Sequence, residues 1–405
     1  MTTSPQPTQS VVVGAGPAGL TAAIALASAG IETVLVGRPA PDDNRTTALL
    51  GGSVTALETL GVWKQARAQA APLRTLRIVD DTARLIRAPQ ARFEAGELGL
   101  DSFGENIENR HLVAALESRA AALAKLTRLD DEADAVEIDD EAVTVRACNG
   151  EALRARLVVG ADGRKSLCRA AAGIKTSGWS YPQAALALTV RHARPHDDIS
   201  TEFHTETGPF TLVPLRGNRS SIVCVVDPAE GEMLRGLDAE ALAAEMERRS
   251  HSILGRMQAE AGVGYFPLAV ETAESFAARR IALVGEAAHR IPPIGAQGLN
   301  LGLRDAALIA ELAAQAVGQN RDIGAVELLA RYERGRRADV ASRTFAVDLL
   351  NRTLLSGFLP FQGVRGLGML LMNSVGPLRR AVMREGIAPS SSQPRLMRGE
   401  ALAPY

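Results

Sequence analysis

The length, composition and charge of the chain limit what it can be. Its 405 residues give room for two domains, and a hydrophobic content of 46% with a net charge of -1 is typical of a soluble globular protein that does not bind nucleic acid. Three scattered cysteines, six histidines without ligand spacing and no apolar run of about 18 residues argue against a metal site, a disulfide framework and a spanning helix. Residues 1–9 lack the features of a signal peptide, which predicts a disordered tail on a cytoplasmic protein.

The first predicted elements form a βαβ unit. A short apolar strand, Ser10–Val13, leads into the turn Gly14-Ala15-Gly16-Pro17-Ala18-Gly19, a helix over 20–29 and a second strand, Thr33–Val36. This is the glycine fingerprint of dinucleotide-binding folds in its usual context. It predicts a phosphate-binding turn at the start of the helix.

The glycines of this turn have separate expected roles. Gly14 allows the tight turn, Gly16 lets a pyrophosphate approach the backbone, and Gly19 permits close packing of helix on strand. The acid that usually ends the second strand and binds the adenosine ribose is missing, since Gly37 stands there with Arg38 beside it. Because an arginine can suit a 2′-phosphate, an NADP dehydrogenase remains an alternative at this point.

The following stretch mixes loops, helices and sheet. We predict a loop over 45–49, a helix over 52–63, an edge of antiparallel sheet over 74–86 and a helix over 111–126. The acid-rich stretch 130–145 is typical of a solvated loop that leads into a strand.

A second apolar strand, over 157–160, ends in Gly160-Ala161-Asp162-Gly163. A carboxylate at the carboxyl end of a parallel strand faces the crevice where doubly wound sheets bind ligands, so Asp162 and Gly163 are candidate binding residues. An ordinary Asp-Gly turn is the alternative. From 179 to 227 short alternating segments indicate a separate antiparallel sheet, and a helix over 240–257 follows.

The stretch 281–310, IALVGEAAHRIPPIGAQGLNLGLRDAALIA, indicates a strand, a loop and a helix. Ile281–Val284 predicts a buried strand that Gly285 ends, and the helix opens at Gly298 after two prolines. The free N–H groups and the positive dipole end of this helix favour an anion or a ring carbonyl in the loop. An ordinary strand-to-helix crossover is the alternative.

Three motifs in this order, GAGPAG at 14–19, GADG at 160–163 and GEAAH with PPIGAQGLNLGLRDA at 285–306, resemble the single-component FAD-dependent aromatic hydroxylases. Within that superfamily the chain is most similar to the ubiquinone-biosynthesis hydroxylases that act on polyprenylphenols. The closer match rests on these segments: Arg45-Thr46-Thr47-Ala48-Leu49, Glu108-Asn109, Tyr181-Pro182-Gln183, Gly208-Pro209, Pro214-Leu215, Pro377-Leu378-Arg379-Arg380 and Met383-Arg384-Glu385.

The resemblance implies where FAD binds. It assigns the glycine turn to the pyrophosphate, Asp162 to the FAD surface, Glu286 to the ribityl region and Pro293 to Asn300 to the isoalloxazine edge. The candidate cofactor-binding residues are Gly14, Gly16, Ala18, Gly19, Arg38, Arg45, Asn109, Asp162, Gly163, Gly285, Glu286, Pro293, Gly295, Ala296, Gln297, Gly298, Leu299 and Asn300. The chain departs from the family pattern at three places. Gly37 replaces the acid that binds the ribose, Glu286 replaces the usual Asp, and Ala296 lies in a Gly-Ala-Gln-Gly order that replaces Ala-Gly-Gln-Gly.

The chemistry that the resemblance implies belongs to the cofactor. NAD(P)H reduces the flavin, O₂ adds to it as a C4a-hydroperoxide, and one oxygen passes to the activated ring of a polyprenylated phenol. No catalytic triad is therefore expected. His289 is a possible proton shuttle, with a structural histidine as the alternative. A flavin reductase or dehydrogenase, a hydroxylase of another aromatic substrate and a non-catalytic flavoprotein scaffold remain as competing functions.

The expected fold class is α/β, with a Rossmann-like FAD-binding domain, an inserted antiparallel-sheet substrate domain and a helical C-terminal segment. The expected boundaries are 10–75, 105–178 and 278–345 for the FAD-binding domain, 76–104 and 179–277 for the substrate domain, and 346–405 for the C-terminal segment. Between Arg331 and Arg384 there are ten arginines, three acids and four apolar clusters, at 349–350, 354–355, 358–361 and 369–372. This pattern indicates peripheral contact with a membrane or a biosynthetic complex, with packing of the segment into the core as the alternative.

Overall fold

The computed structural model describes residues 5–39, 43, 45–83, 87–293, 295–355, 376–387 and 393–402. The strands are β1 Gln6–Val13, β2 Thr33–Val36, β3 Thr46–Leu50, β4 Ala71–Pro72, β5 Thr75–Asp80, β6 Ala91–Glu94, β7 Gly104–Glu108, β8 Leu126–Leu129, β9 Ala133–Ile138, β10 Val143–Ala147, β11 Ala152–Gly160, β12 Thr176–His192, β13 Ile199–His204, β14 Pro209–Leu215, β15 Arg219–Val226, β16 Met257–Ala259, β17 Gly264–Ala273, β18 Ala277–Ala278, β19 Ile281–Leu283 and β20 His289–Arg290. The helices are α1 Pro17–Ser28, α2 Gly51–Thr59, α3 Trp63–Ala66, α4 Asn109–Ala121, α5 Leu167–Ala171, α6 Pro228–Arg235, α7 Ala239–Arg249, α8 Gln297–Gly318, α9 Val326–Leu355 and α10 Gly376–Ile387. The strands form three sheets.

The first sheet contains the parallel strands that the N-terminal motif predicts. Its order is β18-β19-β11-β1-β2-β8, with β10 beside β11 and β9 beside β10, and β1 runs parallel to both β2 and β11. Val11 and Val12 in the central strand are fully buried, as expected where helices cover both faces of a parallel sheet. Strand β2 has the predicted bounds, but β1 begins at Gln6 because residues 6–8 pair with 153–155 of β11. Residues 6–9 therefore belong to the sheet and not to a disordered tail.

The second sheet confirms the predicted antiparallel region. Its order is β20-β17-β12-β15-β14-β13-β5-β6, with β16 beside β12. Among the described strands of this sheet, β13 and β5 run parallel and the other neighbours run antiparallel. The prediction that residues 74–86 form an edge of the sheet is wrong. Strand β5 pairs with β13 on one side and β6 on the other, so β6 forms the edge. Residues 84–86 lie outside the described residues.

Three further predictions of local structure are corrected. The loop predicted over 45–49 is mostly strand β3, which pairs antiparallel with β7. The acid-rich stretch forms a hairpin of β9 and β10, in which Asp134 and Glu137 are exposed. The helix predicted over 240–257 ends at Arg249, because His251 and Ser252 adopt positive φ values of 52° and 50° that a helix does not allow.

Helix α9 connects the two large sheets. Its first half is part of the first core, where Tyr332 is fully buried and its hydroxyl donates to the Leu283 carbonyl at 2.7 Å. Its second half reaches the second sheet, where Asn351 Nδ2 donates to Gln183 Oε1 at 2.9 Å. The predicted boundary at 345/346 thus falls inside one continuous helix. In the part of the chain that the structure describes, no helix has both the length and the apolar character to span a bilayer.

Candidate cofactor and substrate cavity

A cavity of about 1550 Å³ lies between the glycine turn of the first sheet and one face of the second sheet. One side is lined by Gly16 to Gly19, Gly163, Gly285 and Glu286, and by the loop before α8. The other side is lined by strands of the second sheet, including β5, β12, β13, β14, β15 and β17. Since a pocket for one drug-sized ligand measures about 300 to 1,000 Å³, this cavity has room for a large cofactor and a second molecule.

The glycine turn has the geometry that its sequence predicts. Gly14 has a φ of 107°, and a Cβ at Gly19 would lie 1.9 Å from the Gly14 carbonyl oxygen, so both positions exclude side chains. A Cβ at Gly16, in contrast, would meet no protein atom within 4 Å, and Gly16 lines the cavity. The backbone at Gly16 is therefore open to a ligand.

Helix α1 directs its N-terminus at this open space. Gly16 is its N-cap and makes no side-chain capping bond, Pro17 follows, and the first turn contains no acid. Free N–H groups and the positive end of the helix dipole therefore face the cavity beside Ala18. This arrangement suits a pyrophosphate.

The missing ribose acid has a steric explanation in this chain. A Cβ at Gly37 would lie 2.7 Å from the backbone nitrogen of Ala15, so no side chain fits there without a shift of the glycine turn. The neighbouring Arg38 is 62% exposed at its side chain, lies 3.8 Å from Glu132 and does not line the cavity. The structure thus separates Arg38 from the other candidate cofactor-binding residues.

Asp162 stabilises a turn and does not line the cavity. Its Oδ1 accepts a hydrogen bond from Ser166 Oγ at 2.6 Å, and its Oδ2 accepts one from the Cys168 backbone N–H at 3.0 Å. Both contacts lie at the start of α5. These contacts hold the Asp162 side chain at the start of α5, and its role in cofactor binding remains a prediction; the neighbouring Gly163, with a φ of 75°, lines the cavity.

Glu286 and Arg164 form a charged pair on the cavity wall. Arg164 Nε lies 3.2 Å from Glu286 Oε2, and the two side chains are 42% and 53% exposed. Glu286 follows Gly285, whose φ of 63° turns the chain away from β19. The carboxylate is thus accessible to a cofactor hydroxyl. Arg164 was not among the predicted site residues, because no local pattern distinguishes it from the other arginines of the chain.

Arg45 and Asn109 are brought together by Asp43, which the sequence pattern did not identify. Arg45 donates to the Asp43 carboxylate at 2.8 Å and Asn109 Nδ2 donates to it at 2.7 Å. Burial raises the pKa of Asp43, but the hydrogen bonds from Arg45 and Asn109 outweigh it and lower the pKa below its usual value. All three side chains line the cavity, so this cluster is a charged, hydrogen-bonded corner of it.

The loop before α8 presents backbone groups to the cavity. Helix α8 begins at Gln297, one residue before the predicted start, and Ala296 at its N-cap has a φ of 54°. Asn300 is buried and fixes this turn, since its Nδ2 donates to the carbonyls of Ala296 and Ala48 and its Oδ1 accepts from the Leu50 N–H. The residues of this stretch that line the cavity are Pro293, Gly295, Ala296, Gln297, Gly298 and Leu299.

His289 is held in a buried ionic network that joins α8 to α9. Its Nε2 lies 2.7 Å from Asp305 Oδ2, and Asp305 Oδ1 accepts from Arg336 Nε at 2.5 Å. Arg336 also donates to Asp339, and Asp305 has no exposed surface. Burial raises the pKa of Asp305, but the charges of Arg336 and His289 lower it below its usual value. His289 also lines the cavity, so the structural role is shown and the proton-shuttle role remains a prediction.

The wall formed by the second sheet is mostly apolar and contains a small polar group. The apolar lining residues include Leu76, Ile78, Phe93, Phe103, Val213, Val223, Phe266, Leu268 and Met383. Among them lie Glu202 and His204 of β13 and Thr211 of β14, with His204 Nε2 at 2.7 Å from Glu202 Oε1. Sequence reasoning missed this group, although Glu202 and His204 lie two residues apart within the predicted antiparallel region 179–227.

The chain is similar to known proteins in both sequence and fold. Residues 7–346 match the model of a family described as FAD binding domain. The chain is 35% identical to ubiquinone hydroxylase UbiL of Rhodospirillum rubrum, covering 97% of this chain and 93% of that protein. It is 31% identical to the 3-demethoxyubiquinol 3-hydroxylase of Escherichia coli, covering 94% and 98%. Among solved structures, p-nitrophenol 4-monooxygenase PnpA of Pseudomonas putida shares the fold, with a TM-score of 0.79 at 18% identity over 96% of this chain and 100% of that one.

Proposed function

We propose that this chain, which belongs to the FAD-dependent ubiquinone-biosynthesis hydroxylases within the aromatic flavoprotein monooxygenases, hydroxylates the ring of a polyprenylated phenol in ubiquinone biosynthesis. The observation that carries the proposal is the cavity of about 1550 Å³, which runs from the open glycine turn to the apolar face of the second sheet. A flavin and an aromatic ring can therefore share one space. The names of the relatives support the choice of substrate class.

The residues present fit FAD. The N-terminus of α1 at Gly16 would hold the pyrophosphate, Glu286 would accept a ribityl hydroxyl, and the first turn of α8 would face the isoalloxazine ring. When bound, FAD would take electrons from NAD(P)H and react with O₂ to supply an oxygen atom to the ring. The protein then has to orient the ring and exclude water, which the closely packed apolar wall supports.

The apolar end of the cavity suits a prenyl chain. Leu76, Ile78, Phe93, Phe103 and Met383 line it together, and Met383 from α10 packs into the same small apolar cluster as Phe93 and Phe103. We propose a substrate domain at 76–104 and 179–277 and an FAD-binding domain at 10–75, 105–178 and 278–345, with α9 continuing past the last boundary. With this division the ring would lie between the two domains.

Oxygen consumption with product analysis tests the proposal. Purified protein should release FAD on denaturation, and a short-chain prenylphenol should stimulate both NAD(P)H oxidation and O₂ uptake and gain one oxygen atom by mass spectrometry. NAD(P)H oxidation without oxygen insertion would indicate a reductase, and FAD without any turnover would indicate a scaffold protein. Hydroxylation of phenols without the prenyl chain at equal kcat/KM would place the chain among hydroxylases of other aromatic substrates.

We also propose that one face of α9 docks on an anionic membrane surface. Phe345 and Leu349 are 68% and 49% exposed on α9, and Trp179, 40% exposed, contacts Tyr181, whose hydroxyl donates to Asp348 of the same helix. Phe345 and Leu349 lie one helical turn apart on the same face of α9 and form an apolar patch that can enter the headgroup region. Not every basic residue of the segment contributes, because Arg336 and Arg343 are buried. The predicted clusters over 358–361 and 369–372 lie outside the described residues.

Flotation with phosphatidylglycerol-containing vesicles tests the docking. The Phe345→Ser and Leu349→Ser variants should each lower the bound fraction about tenfold, because each loses the transfer of a large apolar side chain into lipid. Val326→Ser is the matched control, since Val326 is 77% exposed near the other end of the same helix. If the intact protein holds FAD and does not float with the vesicles, the patch does not dock on membranes.

A further inference from the structure

The cross-strand register places Glu202 second from one end of a row of six residues on the cavity wall. Residues that pair directly across neighbouring strands point to the same face of a sheet. The row is Gly264, Ala187, Val223, Thr211, Glu202 and Ile78, read from β17 across β12, β15, β14 and β13 to β5. All six residues line the cavity, and Glu202 is the charged member of the row.

A flat ring that contacts Glu202 has to lie over the nearest neighbours of Glu202 in the row. Gly264 and Ala187, the smallest residues of the row, lie toward its other end, where the Phe266 ring packs against Gly264. Thr211 and Val223 continue the surface toward Glu202. Because neighbouring strands lie about 4.8 Å apart, Ala187 is about 14 Å from Glu202, whereas a ring lying over Thr211 and Val223 would present a hydroxyl to the Glu202 carboxylate.

Glu202 is held in place by two neighbours on the same wall. His204, two residues further along β13 and 6% exposed, lies on the same face and donates from Nε2 to Glu202 Oε1 at 2.7 Å. Thr211 Oγ1 donates to Oε2 at 3.3 Å. Burial raises the pKa of Glu202, but the hydrogen bonds from His204 and Thr211 outweigh it and lower the pKa below its usual value. The side chain is thus an oriented carboxylate that is still 21% exposed.

The other charged groups of the cavity are engaged elsewhere. Asp80 lies beside His204 in the register, and its oxygens accept from Thr82 and from the Ala88 backbone N–H. Arg77 donates to Thr201. Asp43, Arg45, Arg164 and Glu286 form the two ion pairs of the opposite side. An ionised carboxylate offers about four lone-pair positions, and the two contacts of Glu202 leave acceptor positions for a ligand.

We infer that Glu202 accepts a hydrogen bond from a ring hydroxyl of the substrate, with His204 and Thr211 as positioning residues, and so determines both the preference for a phenol and the orientation of its ring. The inference rests on the proposed function. A carboxylate accepts hydrogen bonds and cannot donate one, so the site favours a free hydroxyl over its methyl ether. The contact would also orient the ring relative to the bound flavin, because it holds one ring substituent at Glu202.

Equilibrium binding of a matched ligand pair tests the inference without turnover. A geranylated phenol and its methyl ether would be titrated calorimetrically into the FAD-loaded protein in the absence of NAD(P)H. We expect the phenol to bind about 10- to 100-fold more tightly than the ether, as a hydrogen bond to a charged group provides. In Glu202→Gln the ratio should fall to about 1 to 3, because an amide can donate to the ether oxygen as well as accept from the phenol.

The matched control is Glu206→Gln. Glu206 is exposed just after β13 and does not line the cavity, so this variant makes the same charge change and should keep the wild-type ratio. FAD content shows that each variant is folded. If the wild-type protein hydroxylates the phenol but Glu202→Gln keeps its preference, or if the wild type binds both ligands equally, the inference is wrong and the proposed function stands. If neither ligand binds, the proposed function and the inference both fail.

Discussion

Replacement of Gly16 by valine should abolish FAD retention and leave the apoprotein folded. A Cβ at this position meets no protein atom within 4 Å, so the fold has no steric reason to resist the change. The added side chain would enter the cavity beside the N-terminus of α1, where a pyrophosphate has to approach the backbone. Visible absorbance of the purified protein, extracted FAD and thermal unfolding of the apoprotein measure the two effects separately.

Two other glycines provide the controls for this prediction. A Cβ at Gly96 would also meet no protein atom within 4 Å, but Gly96 lies outside the cavity lining, so Gly96→Val should keep wild-type FAD content. Gly19→Val should instead damage the protein itself, because its Cβ would lie 1.9 Å from the Gly14 carbonyl oxygen. Full FAD occupancy in Gly16→Val would show that the cofactor does not approach this turn.

Replacement of Asp305 by alanine should lower the free energy of unfolding by about 3 to 5 kcal/mol, because the buried Arg336 then loses one of its carboxylate partners. Arg336 is 2% exposed, and His289 and the Gly285 N–H also lose their acceptor. Urea unfolding of the apoprotein would measure the change. The paired replacement Asp305→Leu with Arg336→Met should recover part of the loss, because it removes both charges together.

The same carboxylate gives a pH dependence with a defined sign. The pKa of Asp305 is lower in the folded protein than in the unfolded chain, so it contributes stability above the unfolded value and loses it as the pH falls. The stability difference between the wild type and Asp305→Asn should therefore be full at neutral pH and shrink below about pH 4. A difference that stayed constant down to the acid transition would contradict this assignment.

The elements predicted best are those whose signals are local. The apolar run of β2 and the glycines of the first turn follow from neighbouring residues alone, and the structure reproduces both. Asp162 shows the limit of local evidence. Its position at the end of β11 was predicted, but the hydrogen bonds from Ser166 Oγ and the Cys168 N–H to its oxygens were not.

The missed residues depend on contacts between distant parts of the chain. Glu202 becomes part of the cavity wall because β13 pairs with β5, a strand that lies more than a hundred residues earlier. His289 is fixed by Arg336 through Asp305, and nothing in the local sequence of either residue specifies that contact. Periodicity indicates which face of an element is buried but not which element covers it.

Helix α9 limits how the width of the cavity can change. This 30-residue helix is about 45 Å long, and its stretch from Tyr332 in the core of the first sheet to Asn351 at the second sheet spans about 28 Å. The two walls of the cavity are therefore joined by a continuous helix and not by a flexible linker. A change in the width of the cavity requires α9 to bend or to slide against α8, so ligand entry that leaves α9 in place has to use the loops around the rim.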